Sequence, residues 1–104
     1  MFVVTNTIRI KKGYGKQVAE RFAAAKGVQQ MPGFQRMEVW LGDGHEAGEE
    51  ELKVCTVWAS EEAFRQWTSS ESFREAHRGA GDNKDVLLGA SLNKYELVVS
   101  HSKD

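Results

Sequence analysis

The stretch TVWASEEAFRQWTSSESFREAH, residues 56–77, changes its hydrophobic period twice, and the fold is read outward from it. Its first residues close a strand predicted over Glu51–Ala59, in which Leu52, Val54 and Trp58 point to one side and Cys55 and Val57 to the other. Ser60 then stands where a helix needs an N-cap. Glu61 and Glu62 place negative charge at the positive end of the helix that follows. This helix carries Phe64 and Trp67 on adjacent turns. Ser69 and Ser70 offer a second cap, and a further short helix is predicted through Phe73, Ala76 and His77 to about Arg78.

Upstream, residues 2–11 alternate, with Phe2, Val4, Asn6, Ile8 and Ile10 on one face and Val3, Thr5, Thr7 and Arg9 on the other, so they form a strand. Gly13 and Gly15 break it. From Lys16 to about Ala25 the apolar spacing becomes helical through Val18, Ala19, Phe22 and Ala23, and Gly27 is the predicted stop. Gln30–Met31–Pro32–Gly33 is a turn, Phe34–Leu41 a second strand, and Gly42 to Gly48 a polar hairpin loop. Downstream, a loop is predicted from Gly79 to about Gly89 and a last strand from Leu92 to Ser100, ending in a polar tail.

The order β-α-β-β-α-α-β is the split β-α-β pattern of a ferredoxin-like α+β fold with an antiparallel sheet, expected as a single domain over residues 1–104. Several strands are apolar on both faces: Val3 alternates with Phe2 and Val4, and Val39 neighbours Trp40. One set of helices covers only one face of a four-stranded sheet, so a second copy is the simplest cover for the other. The expected assembly is a homodimer whose two sheets close into a dimeric α+β barrel.

Composition narrows the class. Lys and Arg total 14 against 15 Asp and Glu, a formal net charge of −1, which gives no electrostatic footprint for nucleic acid or an anionic membrane. One cysteine, Cys55, allows no internal disulfide and fits a reducing cytoplasm. The opening MFVVTNTIRI is too short and too polar for a signal peptide or membrane span, so a cytoplasmic location is expected.

Three residues stand out chemically. Asn6 is an amide on an apolar strand face, where a buried polar group needs a structural partner or a ligand. Trp67 lies one turn after Phe64; spacing alone favours core packing, and the functional alternative is a pocket wall against something flat. His77 shares the helix face of Phe73 near a helix end, where free carbonyls can accept from Nδ1 and leave Nε2 for a metal. A neutral nitrogen ligand, a bulky wall and a hydrogen-bond donor together suit a flat aromatic iron cofactor. Other sites are thin. His45 lies in a loop beside acidic residues, His101 in the tail, and neither has zinc-site spacing; Gly13–Tyr14–Gly15 lacks a dinucleotide fingerprint; Cys55 in mid-strand reads as packing.

The chain resembles the IsdG-type haem-degrading monooxygenases of the antibiotic-biosynthesis-monooxygenase superfamily. The resemblance is carried by Asn6 in VVTNTIRIKKG, by ERFAAAKGVQQMPGFQRMEV, and by TVWASEEAFRQW followed by SFREAH, and it covers most of the chain. It implies a dimer of ferredoxin-like subunits, each binding one haem as cofactor and substrate, with O2 and an external reductant opening the ring and releasing iron. It further implies His77 as the iron ligand, Asn6 as the distal hydrogen-bond donor and Trp67 as the group that bends the macrocycle, one of the protein's levers on haem. Lys11, Lys12, Arg21 and Lys26 are the basic residues available to its propionates. Two other readings remain: a cofactor-independent monooxygenase of an aromatic substrate, and a haem-binding dimer that leaves haem intact.

Overall fold

The computed structural model describes residues 1–23, 27–77 and 86–103, with residues 75–77 by backbone alone. Four strands, β1 (Phe2–Lys11), β2 (Phe34–Asp43), β3 (Glu49–Trp58) and β4 (Leu87–Glu96), form one antiparallel sheet in the order β2-β3-β1-β4. Helix α1 (Gly15–Ala23) follows β1, and α2 (Glu61–Thr68) and α3 (Glu71–His77) follow β3. This is the predicted α+β, ferredoxin-like arrangement.

The alternation in β1 survives in the packing. Val4, Ile8 and Ile10 are buried on the helix side, and Ile10 is fully enclosed with Leu52 and Trp58. Helix α1 packs on β2 and β3, and α2 on β3. Trp58 anchors one end of the core, edge-on to Phe34 at 5.4 Å and to Phe64 at 5.9 Å, with its indole N–H donating to Thr56 Oγ1 at 3.0 Å. Such aromatic pairs add roughly 0.5–1.5 kcal/mol beyond area burial.

The turn at Met31–Pro32–Gly33 works through Gly33. Its φ of 83° suits glycine, and a Cβ there would sit 2.6 Å from Ala63 Cβ, so β2 can enter only beneath α2 without a side chain. Both predicted caps form. Ser60 accepts from Ala63 N at 3.2 Å, and Ser70 accepts from Phe73 N at 3.1 Å while donating to Trp67 O at 2.6 Å.

The strand boundaries differ from expectation where pairing overrides composition. The hairpin loop is shorter than Gly42–Gly48, because Gly42 pairs with Glu51 and Asp43 with Glu50 in the ladder. The last strand runs Leu87–Glu96, not Leu92–Ser100: β1 offers partners as far as Ile10, which pairs with Leu87, so Gly89 and Ala90 stay in the sheet instead of opening a loop. At the other end β1 is exhausted at Met1, whose carbonyl accepts from Leu97 N at 2.9 Å, and Val98 and Val99 lie exposed beyond it. Helix α1 begins at Gly15 and is described to Ala23; the expected run to Ala25, Lys26, Arg78 and the loop up to residue 85 lie outside the described residues. Among the described residues no helix is long and apolar enough to cross a membrane.

Candidate functional site

Asn6 stands mid-sheet, paired across β1 with Val54 of β3 and with Leu92 of β4. Its neighbours on the helix-facing side, Val4 and Ile8, belong to different apolar clusters. Val4 packs with Val28, Trp58, Ala63 and Trp67; Ile8 packs with Ile10, Val18, Leu52 and Val54. Met37 on β2 touches both clusters, so the seam is bridged on that side, and Asn6 occupies it on the β4 side. The amide is half-buried and has no hydrogen-bond partner within the protein among the described residues. A structural role through a neighbouring backbone group is therefore not what the geometry provides.

Trp67 faces the same region from α2. It is 7% exposed and stands edge-on to Phe73 at 5.5 Å and 88°. The Ser70 hydroxyl ties its carbonyl to the first turn of α3, so the two helices are joined through the Trp67 backbone. The other two tryptophans have acceptors for their indole N–H groups, Glu38 for Trp40 at 3.1 Å and Thr56 for Trp58 at 3.0 Å. The Trp67 indole N–H has none among the described residues. Trp67 is thus a core residue by packing, with its polar edge left over.

His77 is the last residue of α3; its side chain lies outside what is described. The structure thus brings Asn6 and Trp67 to adjoining parts of one apolar layer and places the end of α3 after the joint that carries Trp67. A ring-shaped apolar ligand with polar groups suits a break in an apolar layer flanked by the Trp67 ring and by an amide with no partner among the described residues. The residues present therefore fit haem.

The basic candidates separate. Lys11 pairs with Glu49 in register and falls on the face of β1 away from Asn6. Lys12 lies in the turn after β1, its amide held by Gly48 O at 2.9 Å. Arg21 is half-buried on α1, and Lys26 lies outside the described residues. The opposite sheet face holds Arg9 and Glu49 in a two-point ion pair, which lowers the Glu49 carboxyl below its ordinary 4.5, first through the hydrogen bond from Arg9. Cys55, also on that face, is buried, and burial raises its thiol pKa. His45 is exposed, 3.9 Å from Glu51. Sequence reasoning missed the contribution of β4: Leu92 beside Asn6 follows from strand register, and nothing local in the sequence signals it.

The sequence model of the "Antibiotic biosynthesis monooxygenase" family matches residues 1–79. A protein of Staphylococcus saprophyticus named "Heme oxygenase (staphylobilin-producing)" is 42% identical over 101 residues, covering 94% of this chain and 96% of its own. A "Heme-degrading monooxygenase" of Bacillus thuringiensis is 35% identical over 99 residues, covering 95% and 92%. Among solved structures, the heme-degrader MhuD of Mycobacterium tuberculosis, with two hemes bound in its active site, superposes with a TM-score of 0.74 at 35% identity, covering 98% of this chain and all of its own.

Proposed function

The chain belongs to the antibiotic biosynthesis monooxygenase family, and we propose from that premise that Asn6, Trp67 and His77 bind and orient haem for oxidative opening of its ring. The protein is a haem-degrading monooxygenase, an oxidoreductase for which haem is both cofactor and substrate. The observation that carries the residue assignment is Asn6: an amide with no partner among the described residues, at the seam of two apolar clusters, in the strand that pairs with the edge strand β4.

Bound haem supplies the iron that activates O2 and the ring that is cleaved, with electrons from an external reductant. The protein's own work is placement. His77 at the end of α3 would hold the haem iron through a neutral imidazole nitrogen. Asn6 would offer its Nδ2–H donors from the sheet side, where no group among the described residues holds them. Trp67, held by Ser70 and Phe73, would form a rigid wall of the haem site.

One domain over residues 1–104 working as a homodimer completes this reading. Trp40 and Tyr95, 49% and 51% exposed, lie on the sheet face away from the helices, and a buried Thr5 hydroxyl on that face has no partner among the described residues. A second sheet would cover them. The single buried Cys55 fits a reducing, cytoplasmic setting, and the electrons that haem degradation consumes call for a reductase partner.

The test is a haemin titration of the purified protein, then reductant under air with an iron chelator present. A one-to-one Soret band that decays as the chelator fills is expected. His77→Ala should lose the ligand-field features of the complex, and Asn6→Ala should keep bound haem but lose turnover. Wild-type turnover in Asn6→Ala refutes its assignment. A stable complex under reductant makes the protein a carrier, and no complex at all returns it to an aromatic-substrate monooxygenase.

A further inference from the structure

Strand register sets Met37 of β2 beside Thr56 of β3, which in turn faces Val4 of β1, so Met37 lies on the helix-facing side. Two residues on, Val39 pairs with Val54, the cross-strand partner of Asn6. Among the described residues Met37 alone packs against both apolar clusters, the one that holds Trp67 and the one that holds Val54. It is half-buried, although the fully enclosed Leu52 and Trp58 lie on the same side of the sheet. Along the order β2-β3-β1 it stands a little way along and two strand spacings from Asn6, on the order of 10 Å.

A ligand that rests on Trp67 and over Asn6 enters between the two clusters. The side chain that ties them must then change its packing, whatever the tilt of the ring. Methionine suits that duty chemically. Its unbranched chain and polarisable sulfur fill an irregular gap without a ligand and lie against an aromatic edge with one. Valine and isoleucine, the common residues of a strand, are held to fewer rotamers by their branched Cβ. We propose that Met37 is the adaptable bridge of the haem site: it spans the seam in the ligand-free protein and repacks its thioether against the ring when haem enters. This rests on the haem reading above and adds to it a positioning residue on β2, a strand that reading does not use.

The experiment labels the methionine ε-methyl groups with carbon-13 and titrates the whole protein with gallium protoporphyrin, a diamagnetic haem analogue whose ring current shifts nearby methyl signals. The chain has 3 methionines, and the spectrum of Met37→Leu identifies the Met37 signal. That signal is expected to move further than the one from Met1, which is 57% exposed at the end of the sheet. In parallel, haemin binding by wild type, Met37→Leu and Met37→Ile is followed at the Soret band, with urea unfolding of each ligand-free protein. Met37→Leu, similar in volume, should bind as wild type. Met37→Ile should unfold at about the wild-type urea concentration yet bind haemin roughly two- to ten-fold more weakly. A Met37 methyl that moves no further than that of Met1 while the porphyrin binds overturns the bridge and leaves the haem reading standing. So does wild-type affinity in Met37→Ile, or a loss of its ligand-free stability that accounts for its weaker binding. Failure of the wild type to bind either porphyrin overturns both.

Discussion

Replacing Asn6 by Leu should leave the ligand-free protein at least as stable as before and remove its activity. Leu keeps the branched outline of Asn and deletes the donor and acceptor. A fully buried amide without a partner costs about 1–3 kcal/mol on mutational scales, and Asn6 is half-buried, so roughly half of that is recovered. The new side chain also touches apolar neighbours on both sides, Val4 with its cluster and Ile8 with the other. Half-burying a leucine adds on the order of 1 kcal/mol by area. The expected gain is about 1–2 kcal/mol, which for a domain of this size raises the melting temperature by roughly 4–8 °C per kcal/mol. Urea and thermal unfolding of the haem-free protein, followed by far-ultraviolet circular dichroism, read this directly. A loss of more than about 1 kcal/mol would show that the native structure depends on hydrogen bonds from this amide, and the ligand argument built on its freedom would fail.

Trp67→Ala should destabilise the haem-free protein by about 3–5 kcal/mol, because the ring is 7% exposed and closes the cluster around Val4 and Trp58; chemical denaturation measures it, and a loss below about 1 kcal/mol would mean that the ring is not part of the core. Ser70→Ala removes the acceptor for Phe73 N and the donor to Trp67 O together, so a loss of roughly 1–2 kcal/mol is expected. The same variant should alter the haem spectrum if the α2–α3 joint holds Trp67 against the ring, and an unchanged spectrum would separate the cap from the site. Glu49 should titrate below 4.5 in carbon-detected NMR and return toward that value in Arg9→Ala, since Arg9 stabilises its charged form. The sign follows: this pair's contribution is present above the ordinary carboxylate range and is lost as pH falls through the lowered value, so acid unfolding of Arg9→Ala should lose that component.

What could be read from the residues was whatever depends on chemistry within a few positions. The alternation of Phe2 to Ile10 gave the faces of β1, and Ser60 and Ser70 gave the helix starts, because a cap is one hydroxyl and an amide three residues away. The boundaries of β4 were misread for the opposite reason. Gly89 and Ala90 look like loop residues, yet a strand persists as long as a partner strand offers its hydrogen bonds, and β1 offers them to Ile10. The same non-locality hid half of the site. Asn6 and Trp67 announce themselves as types, an amide among aliphatics and an aromatic on a short helix. That Leu92 stands beside Asn6 depends on the register between strands more than eighty positions apart, and that register is invisible until the sheet is assembled.

The site is also where the fold departs from its own rules. Apart from the Thr5 hydroxyl on the far sheet face, polar groups elsewhere find partners: Glu50 takes the amides of Gly13 and Gly15 at 2.9 Å, Thr56 takes the Trp58 indole, and Ser70 serves two helices. At the seam between the two clusters the Asn6 amide has no partner among the described residues, and Leu92 beside it stands exposed. Local choices that lower stability without a compensating contact mark places where something else completes the structure. If haem completes it, the seam closes on binding and the protein gains stability by mass action, about 2.7 kcal/mol at a hundred-fold excess over the dissociation constant. The haem complex should therefore melt well above the haem-free protein, and in Asn6→Leu, already stabilised, the two should lie closer together. A wider gap in the variant than in the wild type would mean that haem gains nothing from the amide, and that the seam is shaped for another ligand.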